Sequence, residues 1–152
     1  MRFRRIRHYT VLAMALSLKE TSEAMKIKRH HYSPLYKKAR RGFRGYPVAT
    51  IAFYGPNDTR ATKVAAGIVR QEDAEPDVLE RWVSAIEDVR YSATIGAEIL
   101  RFIQRHEAKS VVMVDRIIGC PHEEGTDYPA GRSCPQCPFW AHRDRWTGEI
   151  IH

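Results

Sequence analysis

All three cysteines of this chain and two of its seven histidines fall within residues 120–142, and that crowding constrains the fold more than any other feature. The segment runs Gly119-Cys120-Pro121-His122-Glu123-Glu124-Gly125, then turn-rich to Ser133, then Cys134-Pro135-Gln136-Cys137-Pro138-Phe139-Trp140-Ala141-His142. An odd, clustered set of cysteines does not make a disulfide framework, whereas Cys-x-x-Cys spacing lets two thiolates reach one ion while nearby backbone amides stabilise their charge. Zinc favours four thiolate or imidazole ligands in a tetrahedron, and Cys120, His122, Cys134 and Cys137 supply that set. His142 is the reserve ligand, able to replace His122 if the short Cys-x-His spacing proves awkward. Phe139, Trp140 and Trp146 are expected to pack around the metal loop, because a small clipped segment needs an apolar cover.

Other chemistries use the same residues. His122-Glu123-Glu124 with Cys134-x-x-Cys137 resembles the zinc-deaminase signature, but Ser133 stands where that pattern has proline and the two halves are close together. Cys134-Pro135-Gln136-Cys137 resembles a glutaredoxin dithiol, yet such folds need most of a sheet downstream of the motif. Asp115, with Glu123, Glu124 and Asp127 just beyond it, could form a carboxylate cluster at an open metal position. The alternative function is therefore a metal-dependent hydrolase or nuclease, with Asp115, Glu123 or Glu124 as its catalytic groups.

Upstream of the cluster the sequence predicts a small α+β domain. Val48–Tyr54 and Thr62–Val69 are β-favouring runs around Gly55-Pro56-Asn57-Asp58, which predicts a hairpin with a loop of about four to six residues. Acidic residues and Pro76 precede Val78, Leu79, Trp82 and Val83, which share a helical face and predict a short helix. Ser92 can cap a longer helix in which Ile95, Ile99, Phe102, Ile103 and His106 form one apolar stripe. Ser110–Ile118 reads as a buried strand. The expected fold is thus a β-hairpin, two helices and a third strand in one sheet-helix layer, with a C-terminal zinc-clipped Cys/His loop.

Charge divides the 152 residues in two. Met1–Gly45 carries 13 Lys/Arg against Glu20 and Glu23, a net +11, while the remainder carries 12 against 16, a net −4. Residues 1–45 are expected to form a flexible basic arm and residues 46–152 the single domain, including the metal segment 119–142. Cations interleaved with Tyr32, Tyr36 and Phe43 suit phosphate neutralisation, which makes RNA or DNA the expected partner and Lys26, Lys28, Arg29, Lys37, Lys38, Arg40, Arg41 and Arg44 the contacts. No role is attached to residues 1–24, since Met25 is an equally natural start. The eight-residue apolar run Val11–Leu18 is far shorter than the roughly 20 residues that span a bilayer. Arg2, Arg4, Arg5 and Arg7 imitate the start of a signal peptide, but without a convincing cleavage site. Reduced, clustered cysteines then suit the cytoplasm, where such a module can also serve as one subunit of a larger assembly.

Overall fold

The computed structural model describes residues 33–144 and 147–152; Lys26, Lys28, Arg29, the stretch 1–24 and Trp146 lie outside the described residues. A four-stranded sheet of order β3-β2-β1-β4 organises the chain. Strands β1 (Val48–Tyr54), β2 (Lys63–Val69) and β3 (Val78–Val83) form an antiparallel meander, and β4 (Ser110–Ile117) returns to lie parallel to β1. Helix α1 (Pro34–Ala39) precedes the sheet, and α2 (Ala93–Arg105) makes the crossover from β3 to β4.

The hairpin forms because the two apolar runs alternate in phase. Ala49, Ile51 and Phe53 point into the core and face Ile68, Ala66 and Val64 across the ladder. Pairing a small residue with a large one in two of these three steps fills the layer without overpacking. The connecting loop spans residues 55–62, longer than expected, and is closed by Thr62 N–H donating to Tyr54 O at 2.8 Å. Only glycine fits at position 55, since a Cβ there would stand 2.1 Å from the carbonyl oxygen of Arg60.

The helix expected around Val78, Leu79, Trp82 and Val83 is instead strand β3. Val78, Glu80 and Trp82 are half-buried and alternate with exposed Leu79, Arg81 and Val83, a period of two that matches a pleated strand. Pairing with β2 across six register positions supplies the backbone partners. On the inner face Trp82 meets the Phe102 ring edge-on at 6.0 Å, and Glu80 takes Arg105 at 2.9 Å, fixing β3 against α2.

Helix α2 matches its sequence pattern closely. Ser92 Oγ accepts from Ile95 N–H at 3.3 Å, and Ile95, Ile99, Phe102 and Ile103 are buried on the sheet. His106 sits one residue past the helix as its C-cap, stacked 4.8 Å from Phe102. The second helix is α1, in a segment expected to belong to a flexible arm. Ser33 caps it, Pro34 occupies its first turn, and Leu35 and Tyr36 are buried. The Tyr36 hydroxyl donates to Asp115 Oδ1 at 2.7 Å. Residues 33–45 therefore lie on the body along β4, and the boundary expected at residue 45 falls inside the folded unit. Two apolar side chains in an otherwise basic stretch are enough to seat one turn and a half of helix once the rest of the fold supplies a core to receive them. Among the described residues no helix is long and apolar enough to cross a membrane.

Candidate metal centre

Strand β4 and the β1–β2 loop together aim the chain into the cysteine segment. Ile118 N–H donates to Phe53 O at 3.0 Å and Gly55 N–H to Gly119 O at 2.9 Å, so the chain stays tied to the hairpin up to Cys120. From there it folds into a loop held by its own side chains. Asp127 Oδ2 accepts from Glu123 N–H at 2.7 Å, and Glu124 Oε1 accepts from Gly131 N–H at 2.6 Å. Gly125 and Gly131 both adopt positive φ, which lets the loop double back.

The doubling back brings Cys120, His122, Cys134 and Cys137 together, with one ligand atom from each lying within 4.8 Å of all the others. This group can hold a metal ion. His122 Nδ1 lies 3.2 Å from the sulfur of Cys120, 3.5 Å from that of Cys134 and 3.4 Å from that of Cys137. The three cysteines are buried in a small apolar cluster with Tyr128, and Trp140 packs against both this cluster and the main core. Its indole N–H donates to Gly55 O at 2.8 Å, a second tie between the metal loop and the hairpin. Phe139 meets Trp140 edge-on at 5.0 Å, with the Arg143 guanidinium 4.4 Å above the Phe139 ring.

Backbone donors already favour thiolate here. The His122 amide donates to Cys120 Sγ at 3.3 Å. Burial raises the Cys134 thiol, but the Gln136 and Cys137 amides and the neighbouring thiols outweigh it and leave it below its ordinary value. Cys120, dominated by burial and flanked by the other two thiols, is pushed up to about 12, and burial likewise raises Cys137. Crowded thiols that resist ionising together are the environment a divalent cation relieves.

No protein family, curated protein or solved structure matches this chain. Its chemistry is carried by the geometry alone.

Of the other candidate residues, His142 is exposed, with positive φ, and stands outside the metal group. The three carboxylates expected as possible catalytic groups take separate partners. Asp115 accepts from Tyr36, Glu123 pairs with Lys63 at 3.0 Å and Arg81 at 2.7 Å, and Glu124 binds the Gly131 amide. Lys63 Nζ also donates to Pro121 O at 2.9 Å. Lys63 and Arg81 project from the sheet face opposite α2, so Glu123 anchors the metal loop to that face. Sequence reasoning missed this anchor, whose only local trace is one lysine in the apolar run of β2. The described cations of the basic segment, Lys37, Lys38, Arg40, Arg41 and Arg44, lie in or just after α1, and none forms an ion pair among the described residues.

Proposed function

We propose that this chain is a nucleic-acid-binding module whose C-terminal loop is held by one structural zinc ion on Cys120, His122, Cys134 and Cys137. The observation that carries the metal assignment is the spacing around His122. Zinc bond lengths of about 2.3 Å to sulfur and about 2.0 Å to nitrogen, in a tetrahedron, imply sulfur–nitrogen edges of about 3.5 Å. The three distances of 3.2, 3.4 and 3.5 Å sit close to that value. Soft thiolates select zinc over magnesium or calcium, and four protein ligands leave no open position for water, which favours a structural over a catalytic role.

Support for the nucleic-acid partner is electrostatic: a segment at net +11 whose described cations are free of acidic partners. The hydrolase reading draws less support, because Asp115, Glu123 and Glu124 each have a structural partner and none joins the metal group. Elemental analysis of protein purified without added metal is expected to give one zinc per chain; well under half an equivalent overturns the assignment.

A further inference from the structure

The basic segment is laid out on the body in a fixed way. Its start is tied to β4 by the Tyr36–Asp115 hydrogen bond. Its end is tied by Arg44 N–H donating to Ser110 Oγ at 2.7 Å, and by that hydroxyl donating to Gly45 O at 2.7 Å. Between Ser110 and Asp115 a strand rises roughly 16 Å at about 3.3 Å per residue. Lys37, Lys38, Arg40, Arg41 and Arg44 are strung over that length, and the residues from Ser33 to Gly45 include no acid. Lys109 adds to the far end, with its aliphatic stem 3.8 Å from where a Gly45 Cβ would be.

Within this row stands one large apolar side chain that the core does not use. Phe43 is 55% exposed, although Gly42 and Gly45 on either side, both at positive φ, set the backbone that presents it. Tyr46 packs against it in a T-shaped pair, with ring centroids 5.4 Å apart and planes at 72°, which braces a ring that stays more than half exposed. An aromatic face held in place beside a row of cations is what an unpaired base and its phosphates require. A duplex offers the phosphates but keeps its base faces stacked internally.

Resting on the nucleic-acid reading above, we infer that the ridge from α1 to Tyr46 is the docking surface for a single-stranded nucleic acid, with Phe43 as the platform for one base. Arg40, Arg41, Arg44 and Lys109 take the phosphates on either side. The ridge is part of the folded body, so its contacts are set before the strand arrives, and little ordering entropy is lost on binding.

The test uses the full chain with a labelled single-stranded oligonucleotide, the duplex of the same sequence, and anionic vesicles, each titrated over a range of salt. The intact chain is expected to prefer the single strand. Phe43→Ala should weaken single-strand binding roughly tenfold, leaving duplex binding and the thermal midpoint unchanged. The triple variant Arg40→Gln, Arg41→Gln, Arg44→Gln should reduce the log–log salt slope on the single strand by about 2, from about 0.7 per lost phosphate contact. Wild-type binding by both variants overturns the ridge while leaving nucleic-acid binding to the cations before residue 33. Failure of the intact chain to bind either oligonucleotide, or binding to vesicles alone, overturns both readings.

Discussion

Single side chains decide whether the metal loop and the β1–β2 loop hold. Cys134→Ser or Cys137→Ser removes one buried sulfur from the four-residue Cys/His group, and under the structural-zinc proposal much of the metal's binding energy is energy of folding the loop. Either change is expected to lower the thermal midpoint by at least about 5 °C. His142→Ala, at an exposed position outside the group, should shift it little; the reverse ranking would mean that His142 is the true fourth ligand. A second residue of this kind is Asp88. Burial alone would raise its carboxyl, but hydrogen bonds from the Arg90 side chain and from the Arg90 and Ala61 amides prevail and hold it below the usual range. A carboxylate lowered on folding adds stability that is fully present above its unfolded value of about 3.9 and is lost as pH falls through the lower folded value. Asp88→Asn should therefore cost about 1–2 kcal/mol at neutral pH. Urea unfolding should show that difference closing as pH falls through the lowered folded value, where the wild-type carboxyl becomes protonated too.

Elements show where local pattern and tertiary context agree and where they part. The hairpin was legible because two β-favouring runs flank the turn residues Gly55-Pro56-Asn57-Asp58, and α2 because the Ile95, Ile99, Phe102, Ile103 stripe names one period and one buried face. Val78–Val83 was not, because two valines, a leucine and a tryptophan over six residues satisfy a helical face as well as a strand. The choice falls to β2, whose outer edge β3 covers, and to Phe102, which receives Trp82. Helix α1 is the other case. Read alone, its sequence is a charged tail, but Leu35 and Tyr36 are buried against the body. A chain beginning after residue 45 loses both side chains and the Asp115 hydrogen bond, and should be less stable by about 3–5 kcal/mol. A chain beginning at Ser33 keeps them. Denaturant midpoints of the two truncations, compared at equal metal content, check the difference; equal values would mean that α1 adds nothing to the fold.

Across the whole molecule, the metal group and the sheet form one connected structure. Gly55 bonds to Gly119 and Trp140, while Lys63 and Arg81 hold Glu123, so the cysteine loop rests on both the hairpin tip and the sheet face opposite α2. The four metal-capable residues were readable from sequence because ligand chemistry and Cys-x-x-Cys spacing are local properties, and three soft thiolates in one segment have few other uses. Strands β1, β2 and β4, the long helix and the basic character of the first 45 residues were readable for the same reason: apolar runs, periodicity and charge are written in consecutive residues. What the tertiary structure decided are matters of partnership between distant positions. It made Glu123 an anchor for Lys63 and Arg81, Asp115 an acceptor for Tyr36, and residues 78–83 a strand. It also laid a basic segment along β4 with Phe43 facing outward. Each of these pairs residues separated by many positions in the chain, where the energy of a contact depends on which surfaces the rest of the fold has already brought together.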